Sequence, residues 1–91
     1  MPRPRVKRCL RFNPNVHYFK PAGIPMRELE EVVLARDEVE ALKHYSFDQL
    51  DQKAAASEMG ISQPTLARTI KKVEAKIADA LINGKAIRLE E

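Results

Sequence analysis

One apolar stripe near the carboxyl end most constrains what this chain can fold into. Apolar side chains recur there at steps of four, three, four and three, at Leu66, Ile70, Val73, Ile77 and Ala80, and Leu81 follows. This spacing places them on one face of an α-helix. Ser62 is a favourable N-cap and Asn83-Gly84 a stop signal, so we predict a helix from Gln63 to about Ile82. At 1.5 Å per residue, this helix is about 30 Å long.

A shorter helix precedes the long one and is joined to it by a tight turn. Asp51 is a suitable N-cap for a helix from Gln52 to Met59, after which a glycine with positive φ ends it. Residues 52–73 meet the demands of a helix-turn-helix: a small residue where the helices cross, a glycine at the turn, an apolar corner residue and two inward anchors. These are Ala56, Gly60, Ile61, Leu66 and Ile70. A purely structural helical hairpin is the alternative.

The outward face of the long helix carries cations and small groups. Because a recognition helix contacts base edges mainly with its N-terminal residues, we assign base contacts to Gln63, Thr65 and Arg68. Arg68 is able to bind guanine through two hydrogen bonds, and Gln63 to pair with adenine in the same way. The candidate phosphate contacts on this helix are Ser62, Lys71 and Lys72. For the glutamine and the two lysines, a merely solvated position is the alternative.

The segment 1–25 is predicted to form a basic, proline-rich, extended arm. Five of the six prolines lie there, which excludes a long helix. Val6 to Phe12 alternates as a short strand does, Val16 to Phe19 is a second extended piece, and residues 21–25 form a turn. Arg3 and Arg5 are candidate contacts to phosphates or the minor groove. A solvated charged arm is the alternative.

The remaining segments complete a mainly α fold with short terminal strands that can pair. We predict a helical turn and then an extended segment for residues 26–34, and a helix for residues 36–45 followed by a connection packed by Phe47 and Leu50. Lys85 to Leu89 alternates as a strand whose natural partner is Val6 to Phe12, in the same chain or in a homodimer. The predicted parts are therefore an arm (1–25), a helical domain (26–84) and a tail (85–91).

Charge is unevenly distributed although the net charge is only +3. Residues 1–27 hold seven Lys and Arg and no acid, residues 28–58 hold nine acids against three bases, and residues 59–91 hold six bases and four acids. This asymmetry favours a polyanion partner for the two ends. The acids of segment 28–40 form either a solvated face or a surface for a basic partner protein; those considered are Glu28, Glu30, Glu31, Glu38 and Glu40.

No catalytic, cofactor or metal site is predicted. Cys9 is the only cysteine, which excludes an intrachain disulfide and a cysteine-rich zinc site. No pattern links Cys9, His17 or His44 to an oriented catalytic partner. No apolar run approaches the roughly 20 residues that span a bilayer, and no secretory apolar region follows MPRPRVKR. We expect a non-enzymatic cytoplasmic protein that binds duplex DNA, with RNA a less favoured ligand because few aromatic residues are present to stack on bases.

The chain resembles known protein families in two ways. Residues 34–77 resemble region four of the sigma-70 factors, in which two helices precede a helix-turn-helix that reads promoter DNA and in which RNA polymerase is also contacted. The whole chain resembles a small prokaryotic family of predicted DNA-binding proteins of uncharacterised target, through MPRP, YFKPAGIP, ELEEVVL and ADALINGKAIRLE. This resemblance implies a DNA-binding role in a bacterial or archaeal cytoplasm. Together with the motif, it predicts sequence-specific binding of double-stranded DNA by a transcriptional regulator whose recognition helix, residues 63–77, enters the major groove. An RNA polymerase-associated interaction module with little DNA reading of its own is the alternative.

The chain departs from this family pattern at two places. Ala35 stands where members often have threonine or serine, and the missing cap is expected to weaken the following helix by about 1 kcal/mol. Members often carry more cysteines near the N-terminus, whereas only Cys9 is present here. The pattern therefore gives no metal site for this chain.

Overall fold

The computed structural model describes residues 12–91, which form a mainly α fold with a small sheet. The helices are α1 (Arg36–Ala41), α2 (Gln52–Met59) and α3 (Gln63–Asn83), and the strands are β1 (Tyr18–Phe19), β2 (Glu31–Leu34) and β3 (Ala86–Leu89). A 3-10 turn covers Met26–Glu28, and a π-helical segment, Leu42–Phe47, continues α1. This architecture is compatible with a helix-turn-helix domain.

The turn between α2 and α3 follows the local rules predicted for it. The Asp51 carboxylate accepts a hydrogen bond from the Ala54 N–H at 2.8 Å and caps α2. Gly60 ends that helix with φ +69°, a left-handed conformation in which a Cβ would be strained. The Ile61 N–H then bonds to the Ala56 carbonyl at 3.0 Å and closes the turn. Both helix boundaries and the role of the glycine are therefore confirmed.

Two clusters of apolar residues form the core of the fold. The first lies between α2, α3 and the end of α1, and consists of Ala41, Ala55, Ala56, Met59, Leu66 and Ile70, with Tyr45, Leu50 and Ile61 packed against it. The second lies between α3 and the sheet, and consists of Leu34, Val73 and Leu89, with Val39, Leu42, Ile77 and Ile87 packed against it. The predicted inward stripe of α3 thus spans both sets, and its early residues fix the helix against α2.

The sheet joins both ends of the described chain to its middle. The strand order is β1-β3-β2, with β3 antiparallel to β1 and parallel to β2. The C-terminal strand predicted for residues 85–89 is therefore confirmed, and the second extended piece of the arm contains its antiparallel partner, β1. The partner predicted for the C-terminal strand, Val6 to Phe12, lies outside the described residues except for Phe12. The strands that flank β3 are β1 and β2 of the same chain.

Helix α1 begins without a side-chain cap, as the alanine at its N-cap position, Ala35, predicts. Ala35 has the extended N-cap conformation, φ −72° and ψ 161°, but offers no side-chain acceptor. The Glu38 carboxylate accepts the Ala35 N–H at 2.8 Å instead, which supplies half of a capping box. The helix is α-helical only to Ala41. The wider π turns that follow allow the Asp48 N–H to bond to the Lys43 carbonyl at 2.8 Å.

Two apolar side chains predicted to pack are exposed instead. Phe47, at the end of the π-helical segment, is 80% exposed, whereas Leu50 packs as expected. Leu81 belongs to the predicted stripe of α3 but is 73% exposed, because the elements packed against α3 do not cover its last turn at this position. Its neighbour Ile82 is 82% exposed. The last turn of α3 therefore presents apolar groups on its outward side.

Candidate nucleic-acid interface

A chain of hydrogen bonds connects the first turns of α3. The Ser62 hydroxyl accepts the Thr65 N–H at 3.3 Å, which makes it the N-cap, and donates to the Thr65 hydroxyl oxygen at 2.9 Å. The Arg68 guanidinium donates to the same Thr65 oxygen at 3.3 Å. Three of the predicted contact residues are thus brought together at i, i+3 and i+6. The Ser62 hydroxyl, assigned to phosphate, is engaged in the cap.

The cations of this face lie on its exposed side. Arg68, Lys71 and Lys72 are exposed, and they line a shallow depression of about 510 Å³ together with Ala67 and Ala75. No acid occurs between Gln63 and Val73. Lys71 and Lys72 form no ion pair within the described part of the chain, residues 12–91. The N-terminal half of α3 therefore presents uncompensated positive charge.

Lys76, one turn further along, is half-buried and is bonded within the fold, unlike the exposed cations. Its ammonium donates to the Glu38 carboxylate and to the Val33 carbonyl, both at 2.8 Å. The Glu38 side chain is only 3% exposed. Lys76 therefore ties α3 to both α1 and β2.

The next acid along α3, Asp79, is engaged at the helix end. Its carboxylate accepts from Asn83 Nδ2 at 2.6 Å and from Lys85 Nζ at 2.9 Å. The hydrogen bond from Lys85, followed by that from Asn83, holds the pKa of Asp79 below its ordinary value. Its charge is therefore compensated within the protein, while Glu74 is the exposed acid that follows the cationic half of the helix.

A polar cleft lies beside α3 and is not predictable from the sequence. It measures about 660 Å³ and separates the start of α1 from the outward edge of α3. Its walls are formed by Ala35, Asp37, Glu38, Thr65, Arg68, Thr69, Lys72 and Lys76. The two walls come from segments that are distant in sequence, so no linear pattern brings them together. Arg68 and Lys72 therefore border the cleft on one side and face solvent on the other.

The acidic segment does not form one free acidic face. Glu38 and Glu40 are buried, and Glu40 accepts from the Phe12 N–H at 2.9 Å and lies 2.8 Å from His44 Nε2. Glu31 accepts from the Tyr18 hydroxyl at 2.8 Å and from Arg88 Nε at 3.1 Å. These hydrogen bonds, that of Tyr18 first, lower the pKa of Glu31.

Other sequence predictions concern residues or groups away from α3. Arg3 and Arg5 lie outside the described residues. Within residues 12–91, no group of three or more His, Cys, Asp or Glu side chains is arranged to hold a metal ion. None of the helices in the same range combines the length and the apolar character that crossing a membrane requires.

Comparison with known proteins defines the family. The model of a family described as "Protein of unknown function DUF134" matches residues 1–91. The chain belongs to this family. It is 52% identical over 90 residues to a UPF0251 protein of Moorella thermoacetica and 51% identical over 90 residues to one of Caldanaerobacter subterraneus subsp. tengcongensis, each match covering 99% of the chain. The chain spans 60% of the length of the first relative and 76% of the second. The comparison of this DUF134 chain with solved structures found no match.

Proposed function

We propose that this DUF134 protein binds double-stranded DNA with sequence preference and acts as a transcriptional regulator. In this proposal the N-terminal half of α3 enters the major groove, and α2 supports it from behind. Such a role would place the protein in the cytoplasm with the chromosome.

The observation that carries the proposal is the acid-free, cationic outward face of α3 directly after a tight two-helix turn. Three cations lie on that face, at Arg68, Lys71 and Lys72, and all three are exposed. Inward, Leu66 and Ile70 are 0% and 5% exposed and fix the helix to the core. A helix so anchored has the outward geometry that major-groove recognition requires.

Arg68 is the side chain best prepared to read a base. Its hydrogen bond to the Thr65 hydroxyl limits its rotamers before any ligand is present, which lowers the entropy lost on binding. Its remaining N–H donors suit the two acceptors of guanine in the major groove. Gln63, exposed in the first turn, is the second candidate for base reading, and Lys71 and Lys72 are suited to phosphates.

Selection of bound sequences from a pool of random duplexes tests this proposal. Wild type is expected to enrich a defined motif. Arg68→Lys keeps the charge but loses the planar fork, so it should relax the preference at one base pair while the salt dependence is retained. Lys72→Ala should weaken binding to all sequences alike. Arg27→Ala, which removes an exposed cation outside α2 and α3, serves as the control.

Two results would contradict the groove proposal. One is a wild-type protein that enriches no sequence. The other is a set of α3 variants that bind the pool as wild type does.

The alternative is an RNA polymerase-associated interaction module. It rests on the resemblance to sigma region four and on an acidic surface over residues 28–40. That surface is reduced, because Glu38 and Glu40 are buried and Glu31 is bonded to Tyr18 and Arg88. A pull-down of RNA polymerase that survives both Arg68→Ala and Lys72→Ala would favour this alternative.

A further inference from the structure

The outward face of α3 changes character half-way along the helix. Its N-terminal half is cationic, whereas its last turns expose Leu81 and Ile82 to 73% and 82%. Between these halves, Ala75 and Ala78 are small and exposed. On a helical wheel the two alanines and Ile82 share one direction, with Leu81 at its edge. Large apolar side chains clustered at the surface are typical of an interaction site.

The apolar patch extends from α3 onto the sheet. Leu81 and Phe19 of β1 line the same groove of about 390 Å³, and Phe19 is 53% exposed. Ile87 of the central strand lies in the wall of that groove. The patch is therefore continuous across two elements.

We propose that a second copy of this chain covers the patch, with the two α3 helices antiparallel about a two-fold axis near Ala78. This arrangement sets Ile82 of one copy beside Ala75 of the other, so the bulky side chain of each copy meets a small one. A two-fold interface requires a patch that is its own complement, and this patch has that property. Alanines at the crossing permit the close helix approach of about 8–10 Å seen in packed helices.

Charge selects the antiparallel arrangement. Parallel α3 helices would bring the cationic halves of two copies side by side, at Arg68, Lys71 and Lys72. In the antiparallel arrangement these halves point away from each other, and the weakly charged C-terminal halves meet. Repulsion between like charges thus disfavours the parallel pair.

The resulting spacing fits duplex DNA, and this step rests on the proposed function. With the axis at Ala78, the two Arg68 residues lie about 30 Å apart along the helices and the two Thr65 residues about 39 Å apart, at 1.5 Å per residue. Half-sites on one face of B-DNA are about 34–36 Å apart. The antiparallel pair therefore presents its two reading segments one helical turn apart.

The size of the patch indicates a weak dimer in the absence of DNA. A standard interface buries about 800 Å² per partner, roughly an eighth of the 6090 Å² that the described fold exposes. The large apolar side chains that the patch exposes are few, namely Phe19, Leu81 and Ile82, so we expect a dissociation constant in the micromolar range for the free protein. A DNA with two half-sites strengthens the pair, because both copies are then held at a high effective concentration.

Sedimentation equilibrium of the full chain, without DNA, is the first test. Wild type is expected to form dimers as its concentration rises through the micromolar range. Ile82→Glu should raise the dimer dissociation constant about 100-fold or more, because the two-fold axis places the new carboxylate in the interface twice. Phe47→Glu alters a side chain as exposed as Ile82 on the π-helical segment, and is expected to leave the dimer unchanged.

Cross-linking supplies a test that does not depend on affinity. In a Cys9→Ser background, Ala78→Cys places two thiols close to the axis, within the Cα separation of about 4.4–6.8 Å that a disulfide needs. Mild oxidation should then give a linked dimer. Lys71→Cys is the matched control, since its two copies lie about 21 Å apart along the helices and should not link.

The outcomes separate this inference from the proposed function. A dimer sensitive to Ile82→Glu in a protein that enriches no DNA sequence would support the interface and contradict the DNA proposal. A wild type that enriches an undivided motif, stays monomeric at submillimolar concentration and fails to cross-link through Ala78→Cys would overturn the interface while DNA binding stands. Dimers that dissociate with Phe47→Glu but not with Ile82→Glu would also overturn it.

Discussion

At the scale of single residues, the ion pair between Lys76 and Glu38 connects α3 directly to α1. The Glu38 carboxylate is almost fully buried and accepts both the Lys76 ammonium and the Ala35 N–H at 2.8 Å. Lys76→Met leaves that carboxylate without its cation. We expect a loss of about 2 kcal/mol in the free energy of unfolding, below the roughly 3–5 kcal/mol typical of fully buried pairs because Lys76 is 31% exposed.

Urea denaturation measures this loss, and Lys72→Met is the matched control. Lys72 is exposed one turn earlier on α3, so its removal should change the free energy of unfolding by less than about 0.5 kcal/mol. Equal losses in the two variants would mean that Lys76 contributes only as a surface charge. Glu38 and Lys76 also show a limit of sequence reasoning, since they are distant in sequence and their pairing depends on how α1 crosses α3.

At the scale of the secondary-structure elements, one added hydroxyl group at the N-cap should make α1 more stable. Ala35 already has the dihedral angles of an N-cap and lacks only the acceptor. Ala35→Ser supplies that acceptor and preserves the reciprocal hydrogen bond from the backbone N–H of this position to Glu38. We expect about 1 kcal/mol of added stability, seen as a rise in the Tm. An unchanged or lower Tm would show that the backbone N–H groups of this first turn are already satisfied.

One carboxylate links all three strands of the sheet through side-chain hydrogen bonds. Glu31 of β2 accepts from Tyr18 of β1 and from Arg88 of β3. Because these bonds lower the pKa of Glu31 from its ordinary value of 4.5, the stability they give is present above pH 4.5 and is lost as pH falls through the lowered folded-state pKa. The stability difference between wild type and Glu31→Gln should therefore shrink as the pH is lowered below 4.5. A difference that stays constant as the solution is acidified to about pH 2 would contradict this.

The elements themselves were largely predictable because their signals are local. Asp51, Gly60, Ser62 and Gly84 mark helix boundaries through backbone conformation and caps, and the structure places the boundaries where those residues predict them. The π-helical turns after Ala41 carry no comparable signal, because one wide turn leaves the apolar spacing almost unchanged. The exposure of Leu81 does not follow from the sequence for a related reason: the stripe defines a face of α3, but not how far the elements packed on that face extend along it.

At the scale of the whole molecule, the arrangement of the strands depends on long-range packing. The alternation of Ala86 to Leu89 predicts a strand, but its parallel pairing with β2 joins segments that are distant in sequence. The candidate nucleic-acid interface likewise combines features that the sequence predicts with features that only the tertiary fold determines. The exposure of Arg68, Lys71 and Lys72 follows from helical periodicity, whereas the engagement of Lys76 and of the acids beneath α1 follows from the tertiary fold.

The salt dependence of DNA binding is a property of the whole charge distribution and distinguishes a groove-bound α3 from a loosely attracted basic chain. If Lys71 and Lys72 each neutralise one phosphate, the slope of log K against log salt concentration is about −2 per bound chain, at roughly −0.9 per phosphate. Lys72→Ala should make the slope less steep by about 1, and Arg68→Lys should leave it unchanged. The double variant Arg3→Ala, Arg5→Ala makes the slope less steep by about a further 2 only if the arm also contacts phosphates. Binding isotherms on one duplex at several salt concentrations supply these slopes. A slope that Lys72→Ala does not alter would show that α3 is not the surface that faces the DNA.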